Sequence, residues 1–177
     1  MTNGSNIVLS SFTVTAPGTD ISFKKAAFSI NLLTSGMALS APGIRLVGAA
    51  SNIPAVASID FSGTSCGFTA NAIKACVRVA FASEQTTTAA TSQTYELRMT
   101  VAGAPTGAFT STAILGDAAF ASGALTGTAP ALGLGGIERN FLWSDRTAVP
   151  HSETSADWLD GAMIHLLPGD PQTLVGS

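Results

Sequence analysis

Charge is what this sequence has least of. Only 11% of its 177 residues are Asp, Glu, Lys or Arg, against about 25% in ordinary soluble domains. Eight basic residues face eleven acidic ones, for a net charge of -3. Binding to nucleic acid needs Lys and Arg gathered along one face. Lys24–Lys25 is the one adjacent basic pair, so nucleic acid is excluded as a partner. Long apolar runs are missing too. None reaches the roughly 18 residues of a membrane helix, and no membrane span is expected. The start, Met1-Thr-Asn-Gly-Ser, lacks the basic end and apolar core of a signal peptide. That leaves a cytoplasmic protein or an excised piece of a secreted one. The charge-poor, Ser/Thr-rich composition favours the second, with an extracellular location at the cell surface.

The catalytic and metal motifs that a sequence can display are absent as well. No G-x-S-x-G elbow occurs, no H-E-x-x-H and no EF-hand loop. There are two cysteines, Cys66 and Cys76, at a spacing that fits neither zinc nor redox motifs, and no histidine lies near them. In a secreted chain they can close a short disulfide loop, worth about 2–3 kcal/mol. Otherwise they are two buried thiols. The spacing alone does not choose.

What is present is alternation. In "IVLSSFTVT", Val8, Ser10, Phe12 and Val14 share one face, with Leu9, Ser11 and Thr13 on the other. In "ACVRVAFA", Val77, Val79 and Phe81 alternate with Arg78 and small residues. In "TYELRMTVAG", Tyr95, Leu97, Met99 and Val101 alternate with Glu96, Arg98 and Thr100. A period of two marks half-buried strands. Weaker strands are expected over 20–33, 43–47, 55–61, 109–115 and 139–143. The parity changes near Lys24–Lys25, which predicts a bulge there or two successive strands. Turn signals such as "APGTD" and "VAGAPTG" separate the strands. The expected fold is all-β, an antiparallel Ig-like or fibronectin-like sandwich with a C-terminal strand clasp. Residues 1–117 would form the sandwich. Residues 118–136, small and nearly uncharged, would form a loop or linker. Residues 137–177 would complete the sandwich.

That last segment holds both tryptophans and both histidines. A Ser-His-Asp triad could be drawn from Ser144, Asp145, His151, Ser152, Asp157 and His165, but nothing in their spacing orders a base beside a nucleophile. A carboxylate pair for glycoside hydrolysis, from Asp145, Glu153, Asp157 and Asp160, has no fixed separation. Both enzyme readings are set aside, and no catalytic residue is assigned. Calcium is the one cofactor considered, with Asp145, Asp157 and Asp160 as oxygen ligands and Gly161 for the turn. The architectural reading uses more of the residues. Phe141, Trp143 and Trp158 pack large faces, and Thr154–Asp157 has the spacing of a capping box. Arg146 pairs with Asp145 or Asp157, and Gly161–Pro168 forms a final strand with Ala162, Ile164 and Leu166 inward and His165 outward.

"FLWSDRTAVPHSETSADWLDGAMIHLLPGDPQTL" resembles a segment that ends many predicted surface proteins of candidate phyla radiation bacteria (Patescibacteria). Their pattern runs F-[IV]-W-S-D-x-S, H-S/T, T/S-x-D-W-x-[ND]-G, then an apolar stretch and L-P. Phe141, Trp143, Ser144, Asp145, His151, Ser152, Ser155, Asp157, Trp158, Asp160, Gly161, Leu167 and Pro168 match it; Thr147 stands where Ser is usual. "TTTAATSQTYELRMTVAG" and "FTSTAILGD" resemble the same proteins upstream. The resemblance implies an Ig-like domain of a secreted, S-layer-like protein, with no catalytic residues to carry over. The expected function is structural: a subunit or domain of an extracellular coat or filament that associates with itself. Two alternatives stand beside it. One is a fibre whose subunits donate a strand, either Ser5–Thr15 or Ala162–Leu167. The other is an adhesin that stacks surface glycans on Trp158, Trp143 or Tyr95.

Overall fold

The computed structural model describes residues 3–32, 36–62, 66–67, 73–105, 108–125 and 140–175. The chain is an all-β, antiparallel sandwich of strands β1 (Gly4–Ala16), β2 (Ile21–Leu32), β3 (Ala38–Leu46), β4 (Ala55–Asp60), β5 (Lys74–Thr87), β6 (Thr91–Ala102), β7 (Phe109–Ile114), β8 (Ser122–Gly123), β9 (Leu142–Ser144), β10 (Trp158–Asp160) and β11 (Gln172–Val175). One sheet is β1-β6-β3. The other is built around β2. Strand β5 lies along one side of β2 and carries β4 on its own far edge. The other side is shared: β7 pairs with residues 28–32 and β9 with residues 22–25. Beyond β7 lies β11, and beyond β9 lie β10 and β8. The seven long strands divide four against three, as in an Ig constant domain. The ends differ: β1 flanks β6 and β7 flanks β2, so the first and seventh strands have exchanged sheets.

The alternating residues meet between the sheets. Tyr95, Leu97, Met99 and Val101 of β6 are buried, and so are Val77, Val79 and Phe81 of β5. Phe23 centres an aromatic cluster. It stands edge-on to Phe81 at 5.1 Å and to Tyr95 at 4.9 Å, and it stacks on Phe141 at 5.7 Å. Phe12 stacks on Tyr95 at 5.5 Å. Such pairs add about 0.5–1.5 kcal/mol each beyond the area they bury.

Two local departures from strict alternation have visible causes. The register of β2 slips between Phe23 and Lys25 against both β5 and β9, the bulge its parity change predicts. A second slip, in β1 between Val8 and Ser10, turns Leu9 into the core. Strict alternation puts Leu9 on the face of Ser11 and Thr13, opposite Phe12 and Val14. An extra residue in one strand reverses every side chain beyond it.

The C-terminal expectation needs correcting. Ala162–Leu167 is not a strand. Gly161–Met163 form a 3-10 turn, with the Asp160 carboxylate accepting from the Ala162 amide. Leu166 has a positive φ of 74° and is 77% exposed rather than inward. Pro168 and Pro171 supply no ladder N–H. The Gly169 amide donates to the Ile114 carbonyl at the end of β7 at 3.0 Å, and regular pairing begins at Gln172, where β11 pairs with β7. His165 is exposed, as expected. In the expected linker, Ser122–Gly123 pair with β10 and Leu125 is buried against Trp158 and Leu142. Phe120 is exposed, and residues 126–136 lie outside the described residues.

Cys66 and Cys76 are disulfide-bonded, with Cα atoms 5.8 Å apart. Cys76 is buried on β5, so the bridge ties the segment before β5 to the sheet.

Candidate functional site

Ser144, Arg146, His151, Asp157 and Trp158 of the C-terminal segment gather on the outer face of the β2 sheet. Phe141, just before β9, enters the core, and β9 places Ser144 onto that outer face. The chain then turns at Arg146, whose φ of 55° is unusual for a side-chain-bearing residue. The Ser144 hydroxyl accepts from the Arg146 amide at 2.9 Å and holds that turn. The loop to β10 folds back over β2, and the normally wet outer face at Ser22, Lys24 and Lys25 is buried beneath it.

Asp157 organises the loop. Its Oδ2 accepts from the Ser144 hydroxyl at 3.1 Å, from the Ala148 amide at 3.1 Å and contacts His151 Nδ1 at 2.9 Å. The Ser155 hydroxyl bonds its other oxygen. Burial pushes the Asp157 carboxyl up, but the bonds from Ser155, Ala148, His151 and Ser144 outweigh it and hold the group well below the usual carboxylate range. The far ring nitrogen of His151 lies 2.8 Å from Glu84 Oε2 on β5. The His151 ring thus lies between two carboxylates, one at each ring nitrogen. Glu84 also receives Arg146 Nη1 at 3.0 Å, and the same nitrogen donates to Ser22 at 2.8 Å. Burial pushes Glu84 up as well. Its bonds from His151 and Arg146, the His151 charge and the bond from Ser22 reverse the direction and leave it lowered. Lys24, buried on β2, contacts the Glu153 carboxylate. Arg146 thus pairs with Glu84 rather than with Asp145 or Asp157. Thr154–Asp157 is no capping box, because the Asp157 side chain is turned to His151 while the Thr154 amide donates to the Ser152 hydroxyl.

The two indoles have different surroundings. Trp158 is fully buried; its ring packs on Leu125 and Leu142, and its N–H donates to the Ser152 carbonyl at 2.9 Å. Trp143 is half-buried and donates to the Asp160 carbonyl at 3.0 Å. It lines a groove of about 980 Å³, mostly apolar, between β1 and residues 164–172.

A second anchor was not singled out by the sequence. Asp117, just after β7, accepts from three backbone amides: Asn140 at 2.9 Å, Phe141 at 3.2 Å and Gly161 at 2.9 Å. One carboxylate thus holds both ends of the β9–β10 unit. Gly161 is needed there. A Cβ on it would lie 2.9 Å from Phe141 Cβ and 3.1 Å from the Asp117 carboxylate. The resemblance pattern ended in L-G-D at this position, but nothing local distinguishes Asp117 from an ordinary turn aspartate.

The candidate chemistry does not assemble. Ser144 and His151 share Asp157 instead of facing each other, Ser144 is fully buried, and both His151 nitrogens face carboxylates. A serine nucleophile needs its base at the hydroxyl. Ser152 and His165 are exposed; the Ser152 backbone bonds the Ser155 hydroxyl, while its own hydroxyl faces Thr154 rather than His151. The carboxylates considered for calcium diverge: Asp145 turns back on Thr147, Asp157 on His151 and Asp160 on Ala162. Among the described residues no group of three or more His, Cys, Asp or Glu is placed to hold a metal ion. No described helix is long and apolar enough to cross a membrane. Comparison with family models, with curated proteins and with solved structures gave no match.

Proposed function

We propose that the protein is a structural cell-surface module, a subunit or domain of an extracellular coat or filament built from further copies of itself. The observation that carries this reading is the groove beside β1. That strand is the edge of its sheet. At Ser11 the Gln172 side-chain amide occupies the edge, receiving the Ser11 N–H at 2.7 Å and donating to the Ser11 carbonyl. The edge then continues through Thr13 and Thr15 alongside a mostly apolar groove lined by Phe12, Val14, Ile21, Trp143 and Leu167. An edge strand flanked by apolar surface is a template for lateral pairing. A surface that carries little charge offers little repulsion against it. The C-terminal polar residues support the same reading, because they are engaged in holding the loop to the sheet.

The groove also favours the donor-strand version of a filament, with this face as the acceptor. Ser5–Thr15 lies within the paired strand β1 and Ala162–Leu167 is not extended, so the donor would come from elsewhere in a neighbouring copy. The glycan-stacking alternative has less behind it. Trp158 and Tyr95 are buried, which leaves only Trp143 partly open.

Light scattering across a concentration series, with negative-stain microscopy, tests the proposal. It predicts concentration-dependent oligomers or filaments, reduced by Thr13→Lys at the exposed edge. A protein that stays monomeric throughout contradicts it.

A further inference from the structure

Lys24 sits at the β2 bulge, covered by the C-terminal loop, and its side chain is 1% exposed. Its nitrogen contacts the Glu153 carboxylate, whose side chain is 45% exposed. The Glu153 backbone is itself fixed, since its carbonyl accepts from the Leu125 amide at 2.6 Å. Two reacting groups are thus held against each other by a folded frame. We propose that Lys24 and Glu153 condense to a side-chain amide, an isopeptide bond that ties β2 covalently to the C-terminal loop.

The chemistry balances without a co-reactant. Proton transfer within the pair converts ammonium and carboxylate to amine and carboxylic acid. The amine lone pair attacks Glu153 Cδ and forms the N–C bond; the C–O bond breaks, and the oxygen leaves as water with one proton from the acid and one from the nitrogen. Burial pushes the Lys24 amine down from its ordinary value, against the opposing field of Glu84, which makes the nucleophilic neutral form accessible. Fixed proximity supplies the entropic advantage of an intramolecular reaction, with effective molarities on the order of 10⁵–10⁸ M in well-oriented cases. The product is neutral, so the desolvation penalty of a buried ion pair disappears with the charges. The open side of Glu153 gives the water a way out.

The test is the intact mass of the full folded chain, incubated at neutral pH, then denatured and reduced so that the disulfide makes no contribution. The expected mass is one water below that of the sequence. Tryptic mapping then finds the Lys24 and Glu153 peptides joined, with no cleavage after Lys24. Lys24→Arg restores the full mass. Wild-type protein at its full sequence mass overturns the inference whether or not the variant folds. A missing water located at Asp160–Gly161 as a cyclic imide overturns it equally. The bond does not depend on assembly: a cross-linked monomer would support this inference while contradicting the proposed function.

Discussion

Asp117 and Trp158 do the same job by different physics. Trp158 removes a large apolar face from water and satisfies its one polar atom on Ser152. Asp117 supplies acceptors to three amides that would otherwise be partnerless where the chain doubles back. Truncating the tryptophan to alanine leaves a cavity under the loop and is expected to cost about 3–5 kcal/mol. Asp117→Ala strands buried donors, each costing about 1–3 kcal/mol. Chemical denaturation of both variants, with equal slopes and lowered midpoints, is the expected result. An Asp117→Ala midpoint equal to wild type would remove the carboxylate from the anchor. The sequence made the tryptophan legible and left the aspartate silent. Trp is rare in this chain and large, so its clustering carries information. Asp after a strand is a common turn residue, and the amides it binds come from positions 23 to 44 residues away. Glu84 and Lys24 were silent for the same reason, because their partners are brought to them only by the folded loop.

Elements were legible where one face of a strand is buried. The alternation of β5 and β6 and the bulge in β2 follow directly from side-chain period. The C-terminal strand was misplaced because Ala162, Ile164 and Leu166 alternate as a strand would, while the Asp160 cap and the two prolines decide otherwise. A 3-10 turn stands there instead of a strand. The loop between β9 and β10 is the one held by charged side chains, and this gives it a pH dependence. Asp157 and Glu84 both titrate lower in the folded protein than in the unfolded chain. Their contribution to stability is therefore fully present above the ordinary carboxylate range, about 4. It is lost as pH falls from there through their lower folded values. Thermal midpoints measured from pH 6 down to pH 2 should drop steeply below about pH 4. The drop should be shallower in Asp157→Asn, where the titrating partner of His151 is gone. Equal slopes would show that acid sensitivity arises elsewhere.

At the scale of the whole molecule, the sandwich and the C-terminal segment form one structure with a shared core. Phe141 stacks on Phe23, β9 extends β2, and β11 adds a strand to β7. The all-β class was readable from period and turns. The exchange of the first and seventh strands between sheets was not, since alternation says which face is buried but not which neighbour a strand takes. The central claim is that residues 140–161 are clasped to the sheet by the Asp117, Asp157 and Trp158 anchors and open only when the sandwich does. Native-state hydrogen exchange measures this most directly. The account predicts that the amides of Phe141, Ala148 and Gly161 are protected to the same free energy as those of β2. Exchange of these amides at the rate of an unstructured chain, while β2 stays protected, would contradict it.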